Sequence, residues 1–288
     1  MNVIRNFLTF FLLEDLGFGD ITSEAVIPEG VIVDAKIICK DEGVIAGVSE
    51  ALELFKMVGV EATAKVRDGE KVKKGSVIME IRGDAKTILS VERTVLNLMM
   101  TMSGVATETA KLVEKARRIN EKVRIAGTRK TTPGFRYFEK KAIEIGGGDT
   151  HRLRLDDMVL IKDNHIKIVG SIAEAVRRAR EKASFSKKIE VEVFTPDEAL
   201  EAAVSGADAI MLDNMSVEEV EKTIRILEEH GLRDKVIIEV SGGIKPDNVE
   251  DYAALGVDVI SAGHITHSSK SLDLSLDIVR IINKKAES

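Results

Sequence analysis

The sequence predicts an α/β protein in two parts: an N-terminal α+β open sandwich, followed by an α/β barrel of the TIM type that is complete or partly open. Residues 37–81 show short apolar runs and turn glycines, which are typical of β-strands joined by tight turns. From residue 123 onward, short apolar strands alternate with helical stretches, and this repeat implies parallel strands with right-handed crossovers. A length of 288 residues suits one large unit or two domains.

The elements of the N-terminal part follow from local patterns. The apolar run Phe7–Leu13 is too short to span a bilayer, which needs about 20 residues. Acidic residues follow it directly, so we expect a buried helix there and no signal peptide. A second helix is predicted over Ser49–Val58, a hairpin over residues 65–82, and a long helix over Val91–Leu112 that Ser90 is expected to cap.

The barrel part consists of strand–helix units with recognisable helix starts. The segments Thr195–Glu198 and Lys245–Asn248 each place a proline and acidic residues in a first turn, which favours helix initiation. The expected strands are Val123–Gly127, Met158–Ile161, Ile189–Val193, Ala209–Leu212, Val236–Val240 and Val257–Ser261, and the expected helices are Ser171–Ala183, Pro196–Ser205, Val217–His230 and Asp247–Leu255.

A last helix is predicted over Leu272–Asn283. These elements place an N-terminal domain at residues 1–108, joined by a C-terminal helix at 270–288, and the barrel at 109–269.

Composition excludes several classes of protein. Cys39 is the only cysteine, which excludes a disulfide framework, a cysteine-based zinc site and a redox pair, and a cytoplasmic location is expected. A net charge of -6, without a basic stripe interleaved with aromatic residues, argues against nucleic-acid binding. The lack of glutamine and tryptophan, beside abundant charged and β-branched residues, is typical of a thermophile.

Polar residues follow every predicted barrel strand. The active site of an α/β barrel lies at the carboxyl ends of its strands, so these residues are candidates for the site. They are Thr128–Gly134, the loop Gly146–Arg152, Lys162–His165, Glu192, Asp213-Asn214, Ser241-Gly242-Gly243 and Ala262-Gly263-His264.

Each group of candidates suits a particular ligand. Glu192 and Asp213 could hold Mg²⁺, which typically takes one or two protein carboxylates and completes its shell with water and phosphate oxygens. The glycine turns after the last two strands suit a phosphate, because bare backbone N–H groups can approach it. Four cations suit carboxylates or phosphates: Arg129, Lys130, Arg152 and Lys162.

Each feature alone also has an ordinary structural explanation. A Gly-Gly turn is usually only a turn, a loop lysine is mostly a solvated charge, and Asp213 could cap the next helix. His151 alone is more often structural, and the other histidines show no metal-ligand spacing. The functional interpretation depends on a candidate being present at every strand end.

Several motifs, in order, resemble the quinolinate phosphoribosyltransferase family. Val91–Asn97 followed by Ser103–Thr107 is similar to the central helix of that family, and the resemblance extends from Glu14 to Asp273. The matching barrel motifs are Thr128–Gly134, Gly146-Gly147-Gly148 with His151-Arg152, Leu160–His165, Glu190-Val191-Glu192, Leu212–Asn214, Ser241–Gly243 and Thr266–Ser268.

The resemblance implies a Mg²⁺-dependent type II phosphoribosyltransferase that works as a homodimer, with a hexamer of dimers left open. It implies the conversion of quinolinate and 5-phosphoribosyl 1-pyrophosphate to nicotinate mononucleotide, pyrophosphate and CO2 in de novo NAD synthesis. Nucleic acid and membranes are not expected as partners.

The resemblance also implies a role for each candidate residue. Glu192 and Asp213 are expected to serve the Mg²⁺-bound ribose pyrophosphate and, with Lys130, to be catalytic. Arg93 is expected to reach into the site of the partner subunit. Expected quinolinate ligands are Arg129, His151, Arg152 and Lys162, with Lys130 between quinolinate and pyrophosphate. Ser241, Gly242 and Gly263 are expected to bind the 5-phosphate, and Gly243 and Ala262 are further expected substrate-binding residues.

Two departures and two alternatives remain. Thr150 stands where the family often has asparagine, and His264 where it usually has a small residue, which leaves the preference among pyridine acids open. A nicotinate phosphoribosyltransferase, or an enzyme for another aromatic acid, would need fewer cations. A biotin or lipoate carrier is suggested by the hairpin over residues 65–82, although Lys73 and Lys74 lack flanking methionines.

Overall fold

The computed structural model describes residues 3–283 and divides into two compact units. The first contains the described residues up to Thr107 and those from Ser269 onward, and the second spans Glu108–Ser268. Residues 284–288 of the predicted C-terminal helix lie outside the described residues. Within residues 3–283, no helix is both long enough and apolar enough to cross a membrane.

Helices and strands follow one another along both units. The first part of the chain contains α1 (Val3–Leu16), α2 (Ile21–Val26), β1 (Ile32–Cys39), β2 (Gly43–Val44), α3 (Val48–Met57), β3 (Glu61–Ala64), β4 (Lys71–Val72), β5 (Val77–Asp84) and α4 (Ala85–Ile119). Then come β6 (Arg124–Ala126), α5 (Arg136–Ile145), β7 (Val159–Ile161), α6 (Asp163–Val169), α7 (Ile172–Lys182), β8 (Ile189–Val193), α8 (Pro196–Val204), β9 (Ala209–Asp213), α9 (Val217–Glu229), a 3-10 turn (Arg233–Lys235), β10 (Ile237–Ser241), α10 (Val249–Ala253), β11 (Val259–Ser261), α11 (His264–His267) and β12 (Leu274–Asn283).

The first unit is built on a four-stranded sheet in the order β12-β1-β5-β3, in which every pairing is antiparallel. Alternate residues of β1 are buried, from Val33 at 2% exposure to Cys39 at 0%, so one face of the sheet packs on the core. Strands β2 and β4 form a separate two-stranded pair.

The prediction of a C-terminal helix over 270–288 is wrong for its described part. Residues Leu274–Asn283 form β12, which pairs with β1 from Cys39↔Leu274 to Ile32↔Asn283. The segment is rich in β-branched residues, which favour a strand. Without it, one edge of β1 would carry unpaired N–H and C=O groups. The local sequence of the segment cannot reveal this edge, because β1 lies far away in the chain.

Two other helices differ from their predictions. The helix over Phe7–Leu13 exists as part of α1 but is buried on one side only: Leu8 is 0% exposed and Leu13 is 62% exposed. Helix α4 begins at Ala85, where Asp84 accepts the N–H of Thr87 (2.9 Å), so Ser90 lies inside the helix and does not cap it.

The second unit holds the predicted barrel sheet. Its six strands run parallel in the order β6-β11-β10-β9-β8-β7. In the described chain β6 and β7 do not pair, and a bridge from Ala126 to Asp149 brings the loop before His151 beside β6. The fold class is thus confirmed as mixed α/β, with a partly open barrel and an antiparallel N-terminal unit.

Parallel strands place all their carboxyl ends at one edge of the sheet, which is what positions the site. Strand β8 is buried along its whole length, as expected for a parallel strand covered on both faces. Capping boxes begin two of the helices that return the chain: Thr195 and Glu198 at the predicted start of α8, and Ser216 and Glu219 at α9.

Candidate active site

A cavity of about 380 Å³ opens at the carboxyl ends of the barrel strands. Its lining carries both signs of charge. Its lining residues are Gly127, Thr128, Arg129, Lys130, His151, Arg152, Leu160, Lys162, Glu192, Met211, Asp213, Glu239, Ser241 and Ser261.

Most of the predicted site residues meet in this cavity. All four predicted strand-end cations, His151, both predicted metal carboxylates and Ser241 line it. Four predicted substrate-binding residues do not belong to its lining but are the first two residues after Ser241 or Ser261: Gly242, Gly243, Ala262 and Gly263. Arg93 lies on α4 in the first unit, where its side chain is 59% exposed and 3.9 Å from the carboxylate of Glu92.

One buried and one half-buried arginine provide positive charge in the cavity. Arg152 is only 9% exposed, and burial together with the nearby Arg129 lowers the pKa of its guanidinium group, which nonetheless remains charged. The Nε of Arg129 is buried and has no hydrogen-bond partner in the described protein. A buried donor without an acceptor is costly, so this group is suited to receive an anion from the ligand.

Lys162 and Glu192 form an ion pair across the cavity. The Nζ of Lys162 donates to Oε2 of Glu192, whose side chain is 10% exposed. A ligand carboxylate can replace Glu192 as the partner of Lys162, which would release Glu192 for another contact. The two predicted roles, acid binding by Lys162 and metal binding by Glu192, are therefore linked by one contact.

Two buried carboxylates lie beside the ring of His151. Its Nε2 lies 3.0 Å from Glu239 and 3.5 Å from Glu190, which are 2% and 1% exposed. The N–H of Arg152 donates to its Nδ1 (2.7 Å). The backbone of His151 is left-handed (φ 52), supported by its own N–H donating to Asp149 (2.7 Å). Both ring nitrogens are thus bonded within the protein.

This cluster retains a proton at neutral pH. Burial and the adjacent Glu239 raise the pKa of Glu190 to about 7. Burial opposes the charge of His151, but its bonds to Glu190 and Glu239 outweigh burial and raise its pKa to about 10. The bond from Arg152 needs a lone pair on Nδ1, which conflicts with a doubly protonated ring. The ring proton therefore lies on Nε2, and the proton that the cluster retains lies on Glu190, whose pKa is raised.

Candidate metal ligands occur at two levels. Within residues 3–283, one group of three possible ligands has its atoms within 4.8 Å of one another: His151, Glu190 and Glu239. The predicted pair, Glu192 and Asp213, lies near the carboxyl ends of the adjacent strands β8 and β9 and lines the same cavity. Asp213 accepts a hydrogen bond from the side chain of Asn214 (2.8 Å). In the predicted pair Glu192 is engaged by Lys162, and in the group of three His151 is engaged by Glu239.

Close backbone packing shapes the turn after β10. Gly242 has φ +93, and a Cβ there would lie 2.3 Å from Oδ1 of Asn214. The N–H of Asn214, itself left-handed at φ 55, donates to the carbonyl of Ser241 (2.8 Å). Only glycine allows the ends of β9 and β10 to approach this closely.

Three residues of the site were not assigned a role from the sequence. Glu190 and Glu239 lie inside strands predicted to be buried, and a carboxylate in such a strand was the available signal. Lys140 is 1% exposed on α5, a helix that the sequence did not predict; its buried ammonium group donates to the carbonyls of Gly127 (3.0 Å) and Thr150. Nothing in its local sequence distinguishes it from the adjacent Lys141.

Comparison with known proteins identifies relatives of the whole chain. Residues 20–103 match the family described as "Quinolinate phosphoribosyl transferase, N-terminal domain", and residues 105–277 match its C-terminal domain. A probable nicotinate-nucleotide pyrophosphorylase [carboxylating] from Methanothermobacter thermautotrophicus is 53% identical over 96% of this chain and 98% of its own. The one from Archaeoglobus fulgidus is 51% identical over 91% of this chain and 99% of its own.

A solved structure has the same fold. The nicotinate-nucleotide pyrophosphorylase from Francisella tularensis superimposes with a TM-score of 0.89 and is 38% identical, covering 96% of both chains.

The buried ammonium group of Lys140 generates a prediction about stability and pH. Burial, and secondarily Arg136, lower its pKa from 10.5 to about 8. Between these values the unfolded chain holds a proton that the folded chain has released, so stability rises with pH through this window. The free energy of unfolding of the wild type, minus that of Lys140→Met, should grow by about 2–3 kcal/mol between pH 7.5 and 10.5.

Urea unfolding at a series of pH values measures this difference. Lys222→Met, at an exposed position of α9, is the control and should show no such growth. A pH-independent difference for Lys140→Met would contradict the lowered pKa.

Proposed function

The chain belongs to the quinolinate phosphoribosyltransferase family, and we propose that it joins quinolinate to 5-phosphoribosyl 1-pyrophosphate, giving nicotinate mononucleotide, pyrophosphate and CO2 in NAD biosynthesis. One observation carries the choice of substrate. The cavity gathers Arg129, Lys130, Arg152 and Lys162 around one opening, which is more positive charge than a monocarboxylate requires. A pyridine dicarboxylate beside a pyrophosphate carries enough negative charge to pair with all four cations.

The cations bind and orient the acid. We assign the quinolinate carboxylates to Arg129, Arg152 and Lys162, of which Arg129 offers a buried N–H without a partner. His151 supports this group through its bond with the backbone of Arg152 and presents its ring to the cavity. We assign Lys130 a position between the acid and the leaving group, which its place in the cavity lining supports; the hydroxyl of Thr266 donates to its backbone carbonyl (2.6 Å).

The reaction needs charge and orientation, not a protein nucleophile. The ring nitrogen of quinolinate donates its lone pair to C1 of the ribose, and the bond from C1 to the pyrophosphate oxygen breaks. Cations near the leaving group stabilise the charge that develops there. The bond between the ring carbon next to this nitrogen and its carboxylate then breaks, and CO2 leaves. The electron pair stays on that ring carbon, beside the positive nitrogen, until the carbon takes up a proton.

The donor set of Glu192 and Asp213 fits Mg²⁺. Two carboxylates at the ends of adjacent strands provide the hard oxygen ligands that this ion takes alongside water and phosphate. When bound, the ion neutralises pyrophosphate charge and improves it as a leaving group. Glu192 must leave Lys162 to serve it, which quinolinate binding to Lys162 would favour.

We further propose that the active form is a homodimer in which Arg93 serves the partner's site. Its exposed side chain on α4, whose partner Glu92 is 3.9 Å away, supports this role. Hexamers of such dimers are compatible with it. A cytoplasmic location and a thermophilic source are proposed on composition alone.

The first prediction concerns the substrate. Purified protein with Mg²⁺ and phosphoribosyl pyrophosphate should release CO2 and pyrophosphate from quinolinate and use nicotinate poorly, because a monocarboxylate leaves buried cations unpaired. A coupled assay with both acids measures the two specificity constants, and activity should disappear with excess chelator and return with Mg²⁺. A larger specificity constant for nicotinate would overturn the assignment.

The second prediction separates the metal carboxylates from acid binding. Asp213→Asn should lower turnover by about a hundredfold or more, as removal of a group that acts on developing charge does. Quinolinate affinity, titrated without the second substrate, should stay nearly unchanged. Glu192→Gln should have the same effect on turnover, but it also frees Lys162, so quinolinate affinity should hold or improve. A large loss of quinolinate affinity in Asp213→Asn would move this carboxylate to the acid subsite.

The third prediction concerns Arg93. Arg93→Ala should fold and associate, yet bind quinolinate about ten- to a hundredfold more weakly, the usual effect of losing a charge-assisted contact. Mixing it with Lys162→Ala tests sharing of the site, since a heterodimer then has one intact site and one doubly damaged site. Random exchange should restore about a quarter of wild-type activity. If mass measurements show heterodimers that remain inactive, Arg93 acts within its own subunit.

A further inference from the structure

Helix α5 directs three polar side chains at the two segments that carry three of the four cations in the cavity. Arg136, Glu139 and Lys140, which we call the α5 clamp, lie within two turns of one another, and none of them lines the cavity. Glu139 and Lys140 are both 1% exposed. Charged side chains are rarely buried this far unless they are paired, so their partners are informative.

Lys140 joins the two segments at their starts. Its ammonium group donates to the carbonyl of Gly127 (3.0 Å), the residue before Thr128-Arg129-Lys130, and to the carbonyl of Thr150, the residue before His151-Arg152. The backbone at Gly127 lies directly against α5, because a Cβ there would be 2.3 Å from Cδ1 of Ile143. Lys140 therefore adds a buried side-chain link between two segments whose backbones also pair through the Ala126–Asp149 bridge.

Glu139 and Arg136 hold the far ends of the same segments. The N–H of Thr132 donates to Glu139 (3.1 Å). Arg136 donates from Nε to the hydroxyl of Thr131 (2.9 Å) and from Nη1 to the carbonyl of Leu153 (3.3 Å). Each segment is thus fixed by α5 both before and after its cationic residues.

We infer that the α5 clamp is a set of positioning residues that sets the separation of Arg129 from Arg152, and so matches the cavity to two carboxylates on one ring. The inference rests on the proposed function. The clamp itself does not touch substrate, and its effect passes through the backbone of the two segments. Misplacement of binding groups by about 1 Å can cost about a hundredfold, so a rigid link between the two segments matters for a dicarboxylate.

A substitution at Lys140 separates positioning from mere stability. Lys140→Met keeps the side-chain length and removes the donor, while Lys222→Met makes the same change at an exposed position of α9. Dissociation constants for quinolinate and for nicotinate are measured by calorimetry on the assembled protein with each variant at a temperature where it is folded. The ratio of the two constants is the readout, because loss of folded protein weakens both acids equally.

We expect the preference for quinolinate, expressed as the ratio of the nicotinate to the quinolinate dissociation constant, to fall at least tenfold in Lys140→Met. Lys222→Met should keep the wild-type ratio. Arg136→Met, at a half-buried position, carries the same expectation and replaces Lys140→Met if that variant does not fold. An unchanged ratio in a folded clamp variant overturns the inference. A wild type that does not prefer quinolinate overturns the proposed function instead, so the two failures are distinguishable.

Discussion

Four cationic side chains share one cavity because carboxylates lie directly beneath and among them. Like charges in a poorly solvated space repel strongly, and burial adds a penalty for each. Glu190 and Glu239 sit under His151, and Glu192 pairs with Lys162, so the positive end of the barrel is balanced within a few ångströms. Arg152 illustrates the balance: burial and Arg129 lower its pKa, while three glutamates act in the opposite direction.

This balance explains why the site is organised before any ligand arrives. The carboxylates belong to strands β8 and β10, whose positions are determined by the parallel sheet. The cations belong to loops, which are less constrained, and α5 and the left-handed turn at His151 hold the loops of Arg129, Lys130 and Arg152. Groups that are already oriented need not reorganise as charge develops, which is how such a site stabilises a departing pyrophosphate without a covalent intermediate.

The strand ends were predictable because a parallel barrel brings them together whatever the loops do. Arg129, Lys162, Glu192 and Asp213 could be placed at one edge from strand positions alone, and the structure gathers them in one cavity. Lys140 could not be found this way, because its partners are backbone carbonyls that have no sequence signature. The Lys162–Glu192 ion pair could not be predicted either, because strand order does not determine which side chains are in contact.

The sequence by itself determined the fold class, the alternation that places the carboxyl ends at one edge, and the identity of most charged groups there, because hydrophobic period and turn chemistry are local. Tertiary structure decided that Leu274–Asn283 is a strand, because its β-branched residues favour a strand only in the presence of the edge of β1, more than two hundred residues away in the chain. It also decided that both ring nitrogens of His151 are hydrogen-bonded to protein groups and that a helix outside the cavity holds the cationic loops. Those outcomes depend on which buried polar groups find partners, and that is a property of the packed chain rather than of any segment within it.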